Sequence, residues 1–307
     1  MPDANPSSVA KLPTERMPTT WARIIKPIGL LRESPVGMFG TGLVLFWVLV
    51  AMFAPLLAPF DPLATLDPLR CPPWWQHDYC PKSEVANTYI LGTDHLGRDI
   101  FSRLVWAARR VLTYAPLATV CAYAIGIMMG LAAGYYRGWV DNVLSRFADL
   151  ILSFPVLVLY ILIIAHFGAS PINIVIAIVF ASGPGIMRIV RGLVLDLRTR
   201  EYVAAAETRG EPSLWIMVLE ILPNARGPLI VDACLRLGYV TIAIGVLGFL
   251  GLGLPPPDPD WGGMINEARG MAVLFPHMTV FPCIAISSLI LGFNLMADGL
   301  REISLRD

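Results

Sequence analysis

The sequence predicts an all-α, polytopic membrane protein with six membrane-spanning helices. Composition is the first reason: 56% of the 307 residues are hydrophobic and only 15% charged, against about 25% charged in a typical soluble domain. Mean hydropathy is +0.64. Charge distribution is the second reason, since the stretches Glu33 to Asp61 and Arg110 to Arg137 hold no charge between their ends, and Leu150 to Met187 holds none at all. Backbone chemistry is the third. A hydrocarbon core about 30 Å thick takes about 20 apolar residues as a helix, these runs are too long for barrel strands, and a helix satisfies its own backbone groups where no water can.

Residues 1–37 read as a polar N-terminal tail, too long for the charged leader of a cleavable signal, so Met38–Ala58 is expected to remain as the first span. Residues 59–110 form a loop. It holds Cys71-Pro-Pro-Trp-Trp-Gln-His-Asp-Tyr-Cys80 and then a stretch in which Asp94, Arg98, Asp99 and Arg103 alternate with Leu96, Ile100 and Phe101. That alternation is expected to lie at the membrane surface as an amphipathic segment. Trp74, Trp75 and Trp261 read as interfacial anchors.

The second span is Val111–Tyr135. Gly126, Gly130 and Gly134 form a row of small residues that admits a close helix neighbour, either within this chain or on another subunit. Gly168-Ala169-Ser170-Pro171 divides the next uncharged run into Val143–Phe167 and Ile172–Val190, with Asp149 as a structural acid near the start of the former. The fifth span, Pro228–Leu252, carries Asp232 and Arg236 in its first turns. Their spacing of four puts them on one helical face. Ionisable groups within a span face protein interior or a watery path, so the pair reads either as a pathway or gate element or as a structural ion pair. Gly248, Gly251 and Gly253 could form a flexible external end of this span, although Gly is also common in membrane helices generally. Val273–Leu295 is the sixth span, and residues 301–307 are a short tail.

Lys and Arg orient the chain, because cytoplasmic loops carry the excess. With both termini cytoplasmic, the inner side receives fifteen and the outer side seven, with Arg236 inside a span. Cys71 and Cys80 then face an oxidising compartment, where a disulfide closing a short loop competes with two free thiols.

Several chemistries are excluded. No G-x-x-x-x-G-K-[ST] loop is present, so ATP is not held in the usual way. His77, His95, His166 and His277 lack metal-ligand spacing, and no metal is expected. No G-x-S-x-G elbow offers a nucleophile, and zero net charge gives no pointer to nucleic acid. The chain reads as a non-enzyme.

The longest inner loop, residues 197–224, is more informative. Ala204-Ala205-Ala206 suits a short helix, Gly210 a left-handed stop, and Pro212 the first turn of a second helix. Small side chains on the first arm would let another protein approach the backbone closely; an ordinary amphipathic connector is the other reading. This loop resembles the EAA motif of ABC importer permeases, with Ala204, Ala205, Ala206, Gly210, Leu222 and Pro223 at matching positions. Ala204 stands where the motif has Glu, and Glu220 where it has Ile; Glu201 or Glu207 could supply the missing acid. The resemblance implies that Glu201, Ala204, Ala205, Ala206, Glu207, Arg209, Gly210, Leu222 and Pro223 belong to a coupling helix seated in a cleft of an ATPase subunit.

Further segments resemble the C-type permease of dipeptide, oligopeptide and nickel importers: Leu91-Gly-Thr-Asp94-His-Leu-Gly-Arg98-Asp99, Gly134-Tyr-Tyr-Arg137-Gly138-Trp139-Val-Asp141, Asp149 through Phe154-Pro155, and Gly248-Phe-Leu-Gly251-Leu-Gly253 with Pro255 and Trp261-Gly262. The resemblance runs from about residue 35 to the C-terminus. It implies a type I ABC importer permease fold of the methionine-importer kind, with residues 111–300 as its core. It also implies a bacterial inner-membrane location, a B-type permease partner, two ATP-binding subunits that hold ATP and Mg, and a periplasmic or lipid-anchored substrate-binding protein. Membrane lipid surrounds the chain, and no cofactor is bound by the chain itself. Asp94, Arg98, Asp99 and Arg103 would then be open to contact with the binding protein or its cargo. Peptides are the default cargo for the resemblance, with nickel or opines carried by related permeases. The competing class, a six-helix secondary transporter or channel that needs no ATP, usually shows inverted repeats, and none is evident.

Overall fold

The computed structural model describes residues 34–65, 89–255 and 258–304. Cys71, Cys80, Trp74 and Trp75 lie outside the described residues, as do the N-terminal tail up to Glu33 and the last three residues. Among the described residues all regular structure is helical, apart from one isolated bridge between Thr93 and Asp99.

Helix α1 (Pro35–Met52) starts at a Ser34 N-cap with Pro in its first turn, the pairing that satisfies orphan amides while presetting φ. A short α2 (Ala54–Leu57) continues it. The segment from Leu91 to Asp99 is not a surface-lying amphipathic helix. Instead a tight loop closes through Thr93 and Asp99, and Asp99 caps α3 (Ile100–Tyr136), a helix of 37 residues. The predicted second span is therefore the inner part of a longer element.

The expected third span is two helices, α4 (Gly138–Leu152) and α5 (Val156–Phe167), bent by 86° at Ser153-Phe154-Pro155. Pro155 lacks a donor and forces the preceding residue out of the helical region. α6 (Pro171–Leu197) follows a Ser170 N-cap. Helix α7 (Glu201–Thr208) and α8 (Ser213–Trp215) flank the Gly210 turn. A π-helical turn, Ile216–Ile221, joins α8 to α9 (Leu222–Phe249). α10 (Trp261–Ala268) and α11 (His277–Ser304) complete the fold. Among the described residues, five helical stretches are long and apolar enough to cross a membrane, and a sixth if the bent pair is one span.

Glycines set the closest helix crossings. Cβ atoms built at Gly126, Gly130 and Gly134 would stand 2.6, 2.5 and 2.7 Å from the Cβ atoms of Ile186, Val190 and Val194. The small-residue row thus packs inside this chain, α3 on α6. Gly40 of α1 meets the backbone of α11 at Gly292. At the far end of α9, Gly248 and Gly253 lie against the Asp260 carboxylate, which caps α10 through the Gly263 amide at 3.1 Å. These residues form a tight glycine-lined corner, and a flexible end is not what they build. Trp261, expected as an interfacial anchor, is fully buried there; its indole donates to the Leu104 carbonyl at 3.0 Å and meets Trp47 edge-on.

Candidate functional site

Three polar constructions among the described residues gather the charged groups singled out by the sequence.

The first is the elbow built by α7, the Gly210 turn and α8. Gly210 has φ 76°, which a glycine adopts without steric cost. The Gly210 amide donates to Glu207 O at 3.0 Å and Glu211 N–H to Ala206 O at 3.2 Å, closing the helix end in the manner of a Schellman cap. Val203 and Ala206 turn inward onto Ile216, Met217 and Ile221 and join the core formed by Tyr135, Val190 and Val194. Glu201, Ala204, Ala205, Glu207, Arg209 and Gly210 are exposed, and so are Leu214 at 69% and Trp215 at 50%. Ala206 is thus an anchor of the elbow rather than part of its outer face. The Tyr135 hydroxyl donates to Glu207 at 3.4 Å, while Arg198 donates to the Tyr135 carbonyl at 2.6 Å and stacks on its ring. Leu222 and Pro223 lie where the helix widens. Pro223 has no N–H to donate to the carbonyl four residues back, and Leu222 N–H reaches Met217 O, five residues back. π turns of this kind recur at functional sites.

The second construction lies mid-helix. Asp232 accepts from Arg236 Nε at 2.7 Å and from the Tyr123 hydroxyl of α3. The pair does not sit in the first turns of its helix as the hydropathy implied. Since α9 begins at Leu222, Arg236 falls at its middle. Around the guanidinium is a cavity of about 40 Å³ lined by Thr119, Ala122, Tyr160, Ser182, Ile186, Arg236, Tyr239 and Val240.

The third gathers the loop before α3. Asp94 accepts from Arg98 at 2.7 Å and from Arg103, and Glu267 of α10 accepts from the same two guanidiniums at 2.5 and 2.9 Å. Asp94, Asp99 and Arg103 are buried and Arg98 nearly so. Asp94, Arg98 and Arg103 are turned inward as a network that ties the start of α3 to α10, and Asp99 caps α3 through the Ser102 amide, so the four do not line up as an outward strip. Sequence reasoning missed Glu267, which stands 169 residues from Arg98. Asp94, His95 and Glu267 bring their ligand atoms within 4.8 Å of one another, but two guanidiniums already occupy both carboxylates, and that electrostatics opposes a cation. Burial pushes the Asp94 carboxyl up, yet the Arg103 charge, the Arg98 amide and the Arg98 charge outweigh it and hold it below the usual carboxylate value. Burial pushes Asp99 up. Burial likewise drives Asp260 up to about 6, opposed by the Gly263 and Gly262 amides and aided by Glu267.

Fold and sites together define a polytopic helical membrane subunit with an exposed helical elbow fastened to its span core. Residues 126–306 match the family described as binding-protein-dependent transport system inner membrane component. Residues 21–73 match the N-terminal transmembrane domain of oligopeptide transport permease C. The chain is 36% identical to the glutathione transport system permease protein of Pectobacterium atrosepticum over 84% of its length and 83% of the relative. It is 35% identical to the dipeptide transport system permease protein of Haemophilus influenzae over 88% and 90%. A dipeptide transport system permease protein of Alkalihalophilus pseudofirmus is 37% identical over 89% and 86%. The chain belongs to the binding-protein-dependent inner-membrane permease family, the membrane subunits of bacterial ABC importers.

Proposed function

We propose that this chain is the C-type half of a peptide importer, paired with a B-type permease and driven through its elbow by two ATP-binding subunits that hold ATP and Mg. A periplasmic or lipid-anchored binding protein delivers the cargo, and the chain itself performs no bond chemistry. The named relatives carry dipeptides and glutathione, which share amide and carboxylate groups, so peptide-like solutes are the cargo class. In this reading the termini and the elbow are cytoplasmic, and Cys71 and Cys80 face the periplasm.

One observation carries the coupling role. α7 is bolted to the span core by Val203 and Ala206, while its opposite face offers Ala204 and Ala205 beside exposed Leu214 and Trp215. A rigid anchor on one face and a small-residue docking surface on the other is what a lever between two proteins requires. Coupling needs two arrangements of the spans that nucleotide state biases. In this reading Asp232 and Arg236, which link α9 to α3 through Tyr123, belong to the moving pathway wall.

The test is Ala205→Arg in the complete importer reconstituted in proteoliposomes. ATP-driven uptake should fall by about tenfold or more, the equivalent of at least about 1.4 kcal/mol of lost coupling, with the complex still folded. Uptake at the wild-type rate would defeat the coupling role.

A further inference from the structure

We infer that Arg236 and the hydroxyls around it form a carboxylate-binding subsite between the membrane-spanning helices, a transient seat for the carboxylate of the cargo. The inference rests on the peptide-importer reading and adds the chemical group recognised and the residues that recognise it.

Depth comes first. Thr119 of α3, Ser182 of α6 and Arg236 of α9 fall near the centres of their helices, and Tyr160 lies near the centre of α5. Each of these helices is long and apolar enough to cross a membrane, or is one arm of the bent pair, and within a span an ionisable side chain persists only in protein interior or beside a hydrated path.

The chemistry of the lining comes next. The cavity of about 40 Å³ carries the guanidinium and the hydroxyls of Thr119, Tyr160, Ser182 and Tyr239 among its polar groups, and no carboxylate. Thr119 spends its proton on the Ala115 carbonyl at 2.8 Å, and Tyr160 and Ser182 line the same cavity. Asp232 is held at the Nε edge of Arg236 at 2.7 Å. The terminal nitrogens extend beyond it toward α6, where a Cβ on Gly185 would lie 3.5 and 3.6 Å from them. A guanidinium end is a planar fork matched to a carboxylate.

Volume decides what the cavity admits. A water needs roughly 10–15 Å³ by the same measure, so the space fits about three waters or one carboxylate group. Close-packed interiors fill apolar voids with side chains, whereas a void lined by donors holds water or a polar ligand. The entrance is on the side of Tyr239, which is 65% exposed while Thr119, Tyr160 and Ile186 are buried. Paired with Asp232, Arg236 is electrically neutral when the seat is vacant. An incoming carboxylate then binds weakly, as a transit site must if cargo is to leave again.

The experiment uses the importer's permease and ATPase subunits together in nanodiscs, without binding protein, and acetate as the probe, read by saturation-transfer difference NMR. Wild type should give an acetate signal at least about threefold above that of the double variant Asp232→Asn/Arg236→Gln, an energy difference under 1 kcal/mol. The double variant removes both charges, so no buried charge is orphaned. Ser182→Val, which fills the seat and leaves the ion pair alone, should lose the signal too. Ala205→Arg should keep acetate binding while losing uptake, which separates failure of the seat from failure of the coupling role. Equal acetate signals in wild type, the double variant and Ser182→Val would overturn the assignment.

Discussion

A methyl group added at Gly130 would stand 2.5 Å from the Cβ of Val190, whereas one added at Gly192 meets nothing within 4 Å. Gly130→Ala should therefore cost about 1–3 kcal/mol through overpacking, and Gly192→Ala should gain up to about 1 kcal/mol from helix propensity. Melting of the purified chain in one detergent would show shifts of opposite sign. Titration supplies a second residue-level outcome. Asp260 is raised to about 6 by burial, so the folded chain holds that proton more tightly than the unfolded chain does. Stability from this group is lowest above pH 6 and grows as pH falls through 6 toward the ordinary carboxylate value near 4, by roughly 3 kcal/mol in full. Asp99, also raised by burial, acts in the same direction. Asp94 is lowered and acts oppositely, its contribution being lost only as pH falls below the ordinary value. Melting temperature should thus rise from pH 7.5 to pH 5 and decline below pH 4, and Asp260→Asn should flatten the upper limb. The small-residue row of α3 was legible because a period of four marks a helix face. What lies across that face was not, since Val190 belongs to another helix. The burial of Asp94, Arg98 and Arg103 was equally hidden, because their shared partner Glu267 is remote in the chain.

Local signals locate one break and miss another. Gly168 to Pro171 is legible as a stop and restart, whereas Val143–Phe167 reads as a single span although the Phe154-Pro155 step forces the 86° bend between α4 and α5. Likewise Pro223 stands where the helix widens at the entry to α9, whose start at Leu222 puts Asp232 and Arg236 in the body of the helix rather than in its first turns. The elbow was legible in outline because its signals are local: an alanine run, a glycine stop, a proline restart. Which alanines face out was not, since that depends on the core beneath Val203 and Ala206. Gly210, at φ 76°, gives the element-level prediction. Gly210→Val should cost about 1–2 kcal/mol locally, seen as faster hydrogen exchange in α7 with slower uptake, and Gly210→Asn should retain most of both.

Across the whole molecule, α3 and α6 form the central pair, α1 and α11 close one flank, and α10 seals the end opposite the elbow through the glycine corner at Gly248 and Asp260. Packed elements lead from α7 through the π turn into α9, where Arg236 sits. The architecture was legible at this scale because charge gaps and backbone physics restrict a lipid-embedded chain to helices. The bias of Lys and Arg predicts a cytoplasmic elbow, so Ala205→Cys in intact spheroplasts should resist an impermeant thiol reagent until the membrane is opened. The most direct test of the central claim, that energy enters from another polypeptide through the elbow, is uptake of a dipeptide by proteoliposomes containing this chain alone or the complete importer. Accumulation should require the ATPase subunits and ATP on the elbow side and should fail with Ala205→Arg. Accumulation against a gradient by the chain alone would contradict it.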